Sequence, residues 1–167
     1  DLRLLSMGPR TGLAEIRLPE VQPGSSIMPG KVNPSVPEMV NMVCFRVSGS
    51  EHTVALAVGA GQLDMSVMTP VIADELLEAQ TLLAAACRTL AERCVAGIEA
   101  DIERCRAYAE ASLGLATALR PALGYARAAD LAVEAMRSGR TLREIVSERG
   151  ALPHEKLDEV LDPARYA

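Results

Sequence analysis

The chain has 167 residues, room for one domain or for a small domain plus part of a larger one. Hydrophobic residues make up 49% and aromatics only 2%, with no Trp, so the apolar mass is Ala, Val, Leu and Met, which suits close-packed helices and argues against a β-sandwich. The net charge of −5 comes from mixed acids and bases without a basic stripe, which argues against nucleic-acid binding, and no apolar run is long enough to span a bilayer.

Asp1-Leu2-Arg3-Leu4-Leu5 reads as the middle of a helix, and a long N-terminal portion is expected upstream of it. Gly8, Pro9 and Gly12 then break the periodicity. From Arg17 to Pro37 the chain reads as irregular, since five prolines, Gly24 and Gly30 disfavour helix and strand interiors. A loop this long in a helical chain is functional or disordered, and Ile27, Met28 and Val32 argue against disorder.

A helix is expected to begin at Pro37, with Glu38 suited to its positive N-terminal end. Val36, Val40, Val43 and Val47 form one apolar stripe. Ser48-Gly49-Ser50 predicts a soft point, after which Val54, Ala57, Val58 and Gly61 resume a face. Thr69-Pro70 opens the next helix. Ile72, Leu76, Ala79, Leu83, Ala86 and Leu90 make a heptad seam along it, with Ala allowing close approach. Such a seam needs more partner helices than this chain supplies, which implies the upstream portion, other subunits, or both.

Gly97 marks a boundary between residues 1–97, the loop and long helices of a central bundle, and residues 98–167, a small helical domain. In the second part, helices are expected near 101–112 and 125–137, with a turn at Pro121 and Gly124 between them. Thr141-x-x-Glu144 is a capping box that starts another helix, and Pro153 opens the last one. The fold class is therefore all-α. Cys44, Cys87, Cys94 and Cys105 contain no C-x-x-C pair and only two histidines accompany them, so no metal site is expected. The thiols read as buried and reduced, as in a cytoplasmic protein.

The stretch that carries chemistry is Gly24-Ser25-Ser26-Ile27-Met28-Pro29-Gly30-Lys31-Val32-Asn33-Pro34. Its glycines and prolines set unusual backbone conformations around two serines. Lys31 supplies a charge and Asn33 a hydrogen-bond donor, a pair that can bind a carboxylate. Ser25 or Ser26 can act as nucleophile or base if surrounding donors lower its proton affinity. On spacing alone, an ordinary surface turn with solvated Ser and Lys explains the same residues. His52 and His154 lie elsewhere and read as surface or structural groups.

These eleven contiguous residues are similar, residue for residue, to the signature loop of the fumarase/aspartase superfamily. The resemblance extends to Gly8-Pro9-Arg10-x-Gly12-Leu13, to Ala60-Gly61-Gln62-Leu63 with Val67-Met68-x-Pro70-Val71-Ile72, and to Gly124-Tyr125 and Thr141-Leu142-Arg143-Glu144. It implies a lyase without a cofactor that yields fumarate. Ser25 would be the base that removes the Cβ proton, leaving an aci-carboxylate. Lys31, Asn33 and Ser26 would bind the small dicarboxylate or amino-acid substrate. Backbone N–H groups of residues 25–28 would stabilise developing charge, and Glu38 would pair with a histidine outside this chain. Val36-Pro37-Glu38-x-Val40-Asn41-x-Val43-Cys44-Phe45 resembles the aspartate ammonia-lyase branch, with fumarate hydratase as the alternative. The resemblance also implies a homotetramer whose active sites combine three subunits, so that this stretch alone is not catalytic. A helical oligomerisation piece without activity is the competing reading from another class, and a binding module for small acids is a third.

Overall fold

The computed structural model describes residues 1–162 and residue 165. It is all-α apart from one two-residue strand pair, and it divides into two compact units, Asp1–Ala100 and Asp101–Ala167.

In the first unit, a short helix α1 (Leu2–Leu5) is followed by strand β1 (Ile16–Arg17), which pairs antiparallel with β2 (Glu99–Ala100). Two long helices, α2 (Ser35–Gly59) and α3 (Thr69–Arg93), form a hairpin. Each has 25 residues, or roughly 37 Å at 1.5 Å per residue. Helix α2 starts two residues before the position expected from the sequence, with Pro34 as its N-cap. Pro37 is tolerated there because the first-turn N–H groups have no intrahelical partner. The soft point expected at Gly49 is absent. The helix runs through it with Gly49 on the exposed face, and Thr53 Oγ1 donates to the Gly49 carbonyl at 3.1 Å.

The α2 stripe Val36, Val40, Val43 and Val47 continues through buried Ser50 and Ala57. On α3 the expected seam is only partly used. Ala86 is buried and Ile72, Ala79 and Leu90 are half-buried, but Leu76 and Leu83 stay 49% and 37% exposed. Glu75 and Leu82 are instead half-buried. The physical reason is Arg46 on α2, which donates to Glu75 at 3.2 Å, Glu78 at 2.6 Å and Ser50 Oγ at 3.1 Å. This cluster draws Glu75 inward and gives Ser50 its partner. The apolar surface of α3 is thus wider than one neighbouring helix covers. The hairpin turn is closed by the Gln62–Met65 bridge, with Leu63 at φ 52 on its tip. Contrary to the expectation of buried thiols, Cys44 and Cys87 are exposed on the outer faces of the hairpin. Cys94 is buried, which pushes its thiol pKa up.

The second unit has its own core. It contains helices α4 (Ile102–Ala111), α5 (Ala116–Leu123), α6 (Tyr125–Ser138), α7 (Leu142–Glu148) and α8 (His154–Val160), of which α5 to α8 supply buried side chains and α4 none. Leu115, Leu119, Leu131, Leu142, Ile145, Val146, Leu157 and Leu161 are buried together with small alanines. The turn expected at Pro121 is a correction, because Pro121 lies inside α5 and Gly124, at φ 78, alone breaks the chain. Fully buried Leu119 repays the backbone bond that Pro121 cannot donate. Gly139 ends α6 in the left-handed region. The capping box is complete, with Glu144 N–H donating to Thr141 Oγ1 at 3.2 Å and Thr141 N–H to the Glu144 carboxylate at 2.8 Å. These bonds, backbone first, hold the Glu144 carboxyl below its ordinary pKa. Among the described residues no helix is long and apolar enough to cross a membrane.

Candidate active site

Residues 24–34 form a loop whose ends meet between the irregular segment after β1 and the first turn of α2. Its neck is tight. A Cβ on Gly24 would lie 1.9 Å from the Lys31 carbonyl oxygen, so only glycine permits the two backbones to approach this closely. Gly30 turns the far side at φ 75. Asn33 Nδ2 donates to the Gly24 carbonyl at 2.7 Å, and the Lys31 N–H donates to Met28 at 3.3 Å.

Ser25 is half-buried at the start of the loop. Its Oγ accepts the backbone N–H groups of Ile27 and Met28, both at 3.1 Å. Two fixed donors on one hydroxyl oxygen stabilise negative charge there, so they lower the cost of an alkoxide. Ser26 and Lys31 are exposed. Asn33 is half-buried, and in this conformation one of its amide N–H groups closes the neck. Glu38 is half-buried on the first turn of α2, its N–H bonded to the Pro34 carbonyl at 3.0 Å. The neck thus gathers Ser25, Lys31 and Asn33 around Gly24, while Ser26 and Lys31 present exposed side chains and Glu38 stands on the helix.

Sequence reasoning passed over Gln22 and Ser35. Gln22 Nε2 donates to Ser35 Oγ at 2.9 Å, a second tie across the base of the loop. Nothing in the sequence signals a bond that spans 13 positions. His52 is exposed on α2, and His154 is exposed at the start of α8, its Nε2 3.5 Å from Ser147 Oγ. Among the described residues no three His, Cys, Asp or Glu side chains cluster closely enough to hold a metal ion.

Residues 1–49 match the family described as Lyase, and residues 115–166 match Fumarase C C-terminus. The chain is 50% identical to the aspartate ammonia-lyase of Helicobacter pylori over 163 residues, covering 98% of this chain and 35% of that protein. It is 49% identical to the aspartate ammonia-lyase of Escherichia coli, with 96% and 34% covered. Among solved structures, fumarate lyase:delta crystallin from Brucella melitensis bound to cobalt superposes with a TM-score of 0.95 at 56% identity, over 100% of this chain and 36% of that one. A class II fumarase from Schistosoma mansoni superposes with a TM-score of 0.86 at 42% identity, over 98% and 34%. The chain spans about a third of the length of the curated relatives it matches.

Proposed function

The chain belongs to the fumarase/aspartase superfamily, and from that premise we propose that the whole protein is an aspartate ammonia-lyase, converting L-aspartate reversibly to fumarate and ammonia. What supports the choice of substrate is the 50% identity to aspartate ammonia-lyases along nearly the whole chain. What supports the mechanism is the pair of N–H groups on Ser25 Oγ.

A Cβ–H next to a carboxylate is a very weak acid, so the base must be strong and its charge must be held by fixed dipoles. Ser25 as alkoxide takes the Cβ proton. The electron pair moves into the adjacent carboxylate, giving an aci-carboxylate dianion. Its collapse forms the Cα–Cβ double bond and expels ammonia from Cα. Lys31 and Ser26 bind the substrate carboxylates, with Asn33 contributing its remaining N–H. Glu38 orients a histidine from another segment. The glycine- and proline-rich loop acts as a lid that excludes water during the reaction.

The active enzyme is a cytoplasmic homotetramer in which this loop meets segments from the N-terminal portion and from other subunits. The uncovered apolar width of α3 and the exposed Phe45 and Met42 on α2 favour such packing. A second reading, fumarate hydratase, draws on the match of residues 115–166 to Fumarase C C-terminus. Ultraviolet detection of fumarate from L-aspartate and L-malate in parallel separates the two. Fumarate from aspartate alone supports the lyase, and fumarate from malate alone moves the protein to the hydratases. In the intact protein Ser25→Ala is expected to abolish turnover without altering assembly.

A further inference from the structure

The tie between Gln22 and Ser35 has no part in the reaction described above. Gln22 precedes the Pro23-Gly24 bend that leads into Ser25, and Ser35 is the first residue of α2. Their side chains meet at 2.9 Å. Inside this bond lies the Asn33–Gly24 bond at 2.7 Å, and inside that the close passage of Gly24 against Lys31. The loop is therefore fastened in layers at its base. Among the described residues its tip is bonded only within the loop, through the Ile27 and Met28 amides to Ser25 Oγ and the Lys31 N–H to the Met28 carbonyl, while Ile27 is 86% exposed, and Met28 and Val32 are exposed as well. The position of Ser25 is set from the neck, because among the described residues no other element holds the loop from its far end.

We propose that Gln22 is a positioning residue for Ser25, locking the segment that carries the base to the first turn of α2 through Ser35 Oγ. The inference rests on the reading of Ser25 as the base. Helix α2 is the rigid element here, 25 residues long and held against α3 by the Arg46 cluster. A bond from Gln22 to its first residue makes the loop move with the helix end as one piece. Ser25 carries its own two N–H donors with it, so the tie governs where the base stands and leaves its local electrostatics unchanged.

The test uses the intact protein and whichever of L-aspartate or L-malate it converts. Gln22→Ala and Ser35→Ala each remove one partner of a single neutral hydrogen bond, so each is expected to lower kcat about tenfold. KM is expected to stay at the parental value, since the proposed mechanism assigns neither side chain to the substrate. The double variant is expected to be no worse than either single one, because both remove the same bond. Gln22→Glu, whose carboxylate accepts from the Ser35 hydroxyl, should retain most of the parental kcat. Hydrogen exchange at the Ser35 amide, which donates to the Asn33 carbonyl at 2.8 Å at the base of the loop, supplies a readout independent of turnover and is expected to accelerate in Gln22→Ala. Parental kcat in Gln22→Ala, losses that multiply in the double variant, or unchanged exchange would each overturn the proposal. Ser25→Ala is run beside them: if it retains turnover, the base assignment fails first, whereas a dead Ser25→Ala beside a fully active Gln22→Ala sinks the positioning role alone.

Discussion

Replacing Gly24 by Ala is expected to disable the loop while sparing the helices. The new Cβ would stand 1.9 Å from the Lys31 carbonyl oxygen and 2.6 Å from its carbon. Ordinary contact begins near 3.4 Å, so the two backbones must part by about 1.5 Å. Both obstructing atoms are main chain, so no rotamer change relieves the overlap. The Asn33–Gly24 bond of 2.7 Å cannot survive such a separation. A misplacement of about 1 Å at a reacting group costs on the order of 100-fold in rate, which is the loss expected in kcat. Fumarate formation by the intact protein measures it, with circular dichroism showing that helix content is kept. Gly30 provides the contrast. A Cβ there meets nothing within 4 Å, and only the left-handed backbone at φ 75 resists it. Gly30→Ala should therefore cost roughly 1–2 kcal/mol of local strain and at most about tenfold in rate. A Gly24→Ala enzyme close to the parent in rate, or one less damaged than Gly30→Ala, would refute the argument from the neck.

Three further outcomes follow from the packing. Arg46→Met leaves Glu75, 15% exposed, without its cation and Ser50 without its donor, and should destabilise the α2–α3 pair by about 1–3 kcal/mol in urea unfolding. An unchanged midpoint would show that the cluster contributes nothing. Leu131→Ala opens a cavity in the core of the second unit and should cost about 2–5 kcal/mol, read as lost amide protection across α6 and α7. Glu144 has a folded-state pKa below its ordinary value, so its stabilising contribution is present above the unfolded pKa and is lost as pH falls through the folded one. The stability gap between the parent and Glu144→Gln should therefore be present at neutral pH and close in acid, and a gap independent of pH would count against the capping role.

Helix starts and stops were legible where one residue dictates them. Pro37 announced the start of α2 to within two residues, and Thr141 with Glu144 the start of α7. The all-α class followed from the Ala-, Leu- and Val-rich composition. Position along the chain misled where a tertiary contact outweighed a local preference. Pro121 read as a turn, but burial of Leu119 holds α5 together around it. Gly49 read as a weak point, but α2 runs straight through it beside α3. The heptad on α3 was periodic enough to read, whereas the half-burial of Glu75 depended on Arg46, 29 positions away, and local periodicity carries no trace of it. At the loop, the residue types pointed to carboxylate chemistry. The neck bonds from Asn33 and Gln22 did not show, because each joins side chain to partner across nine or more positions.

The donors on Ser25 Oγ are the amides of Ile27 and Met28, and their side chains take no part in those bonds. Any residue except proline offers the same N–H at those two positions. The charge-stabilising half of the loop is therefore nearly degenerate in sequence, and Ile27 and Met28 are free to vary in answer to whatever surface the loop meets. The spacing of two and three residues downstream of Ser25 is what must be kept, so a one-residue insertion between Ser25 and Met28 should harm the loop more than exchanging the Ile27 or Met28 side chain for any other but proline.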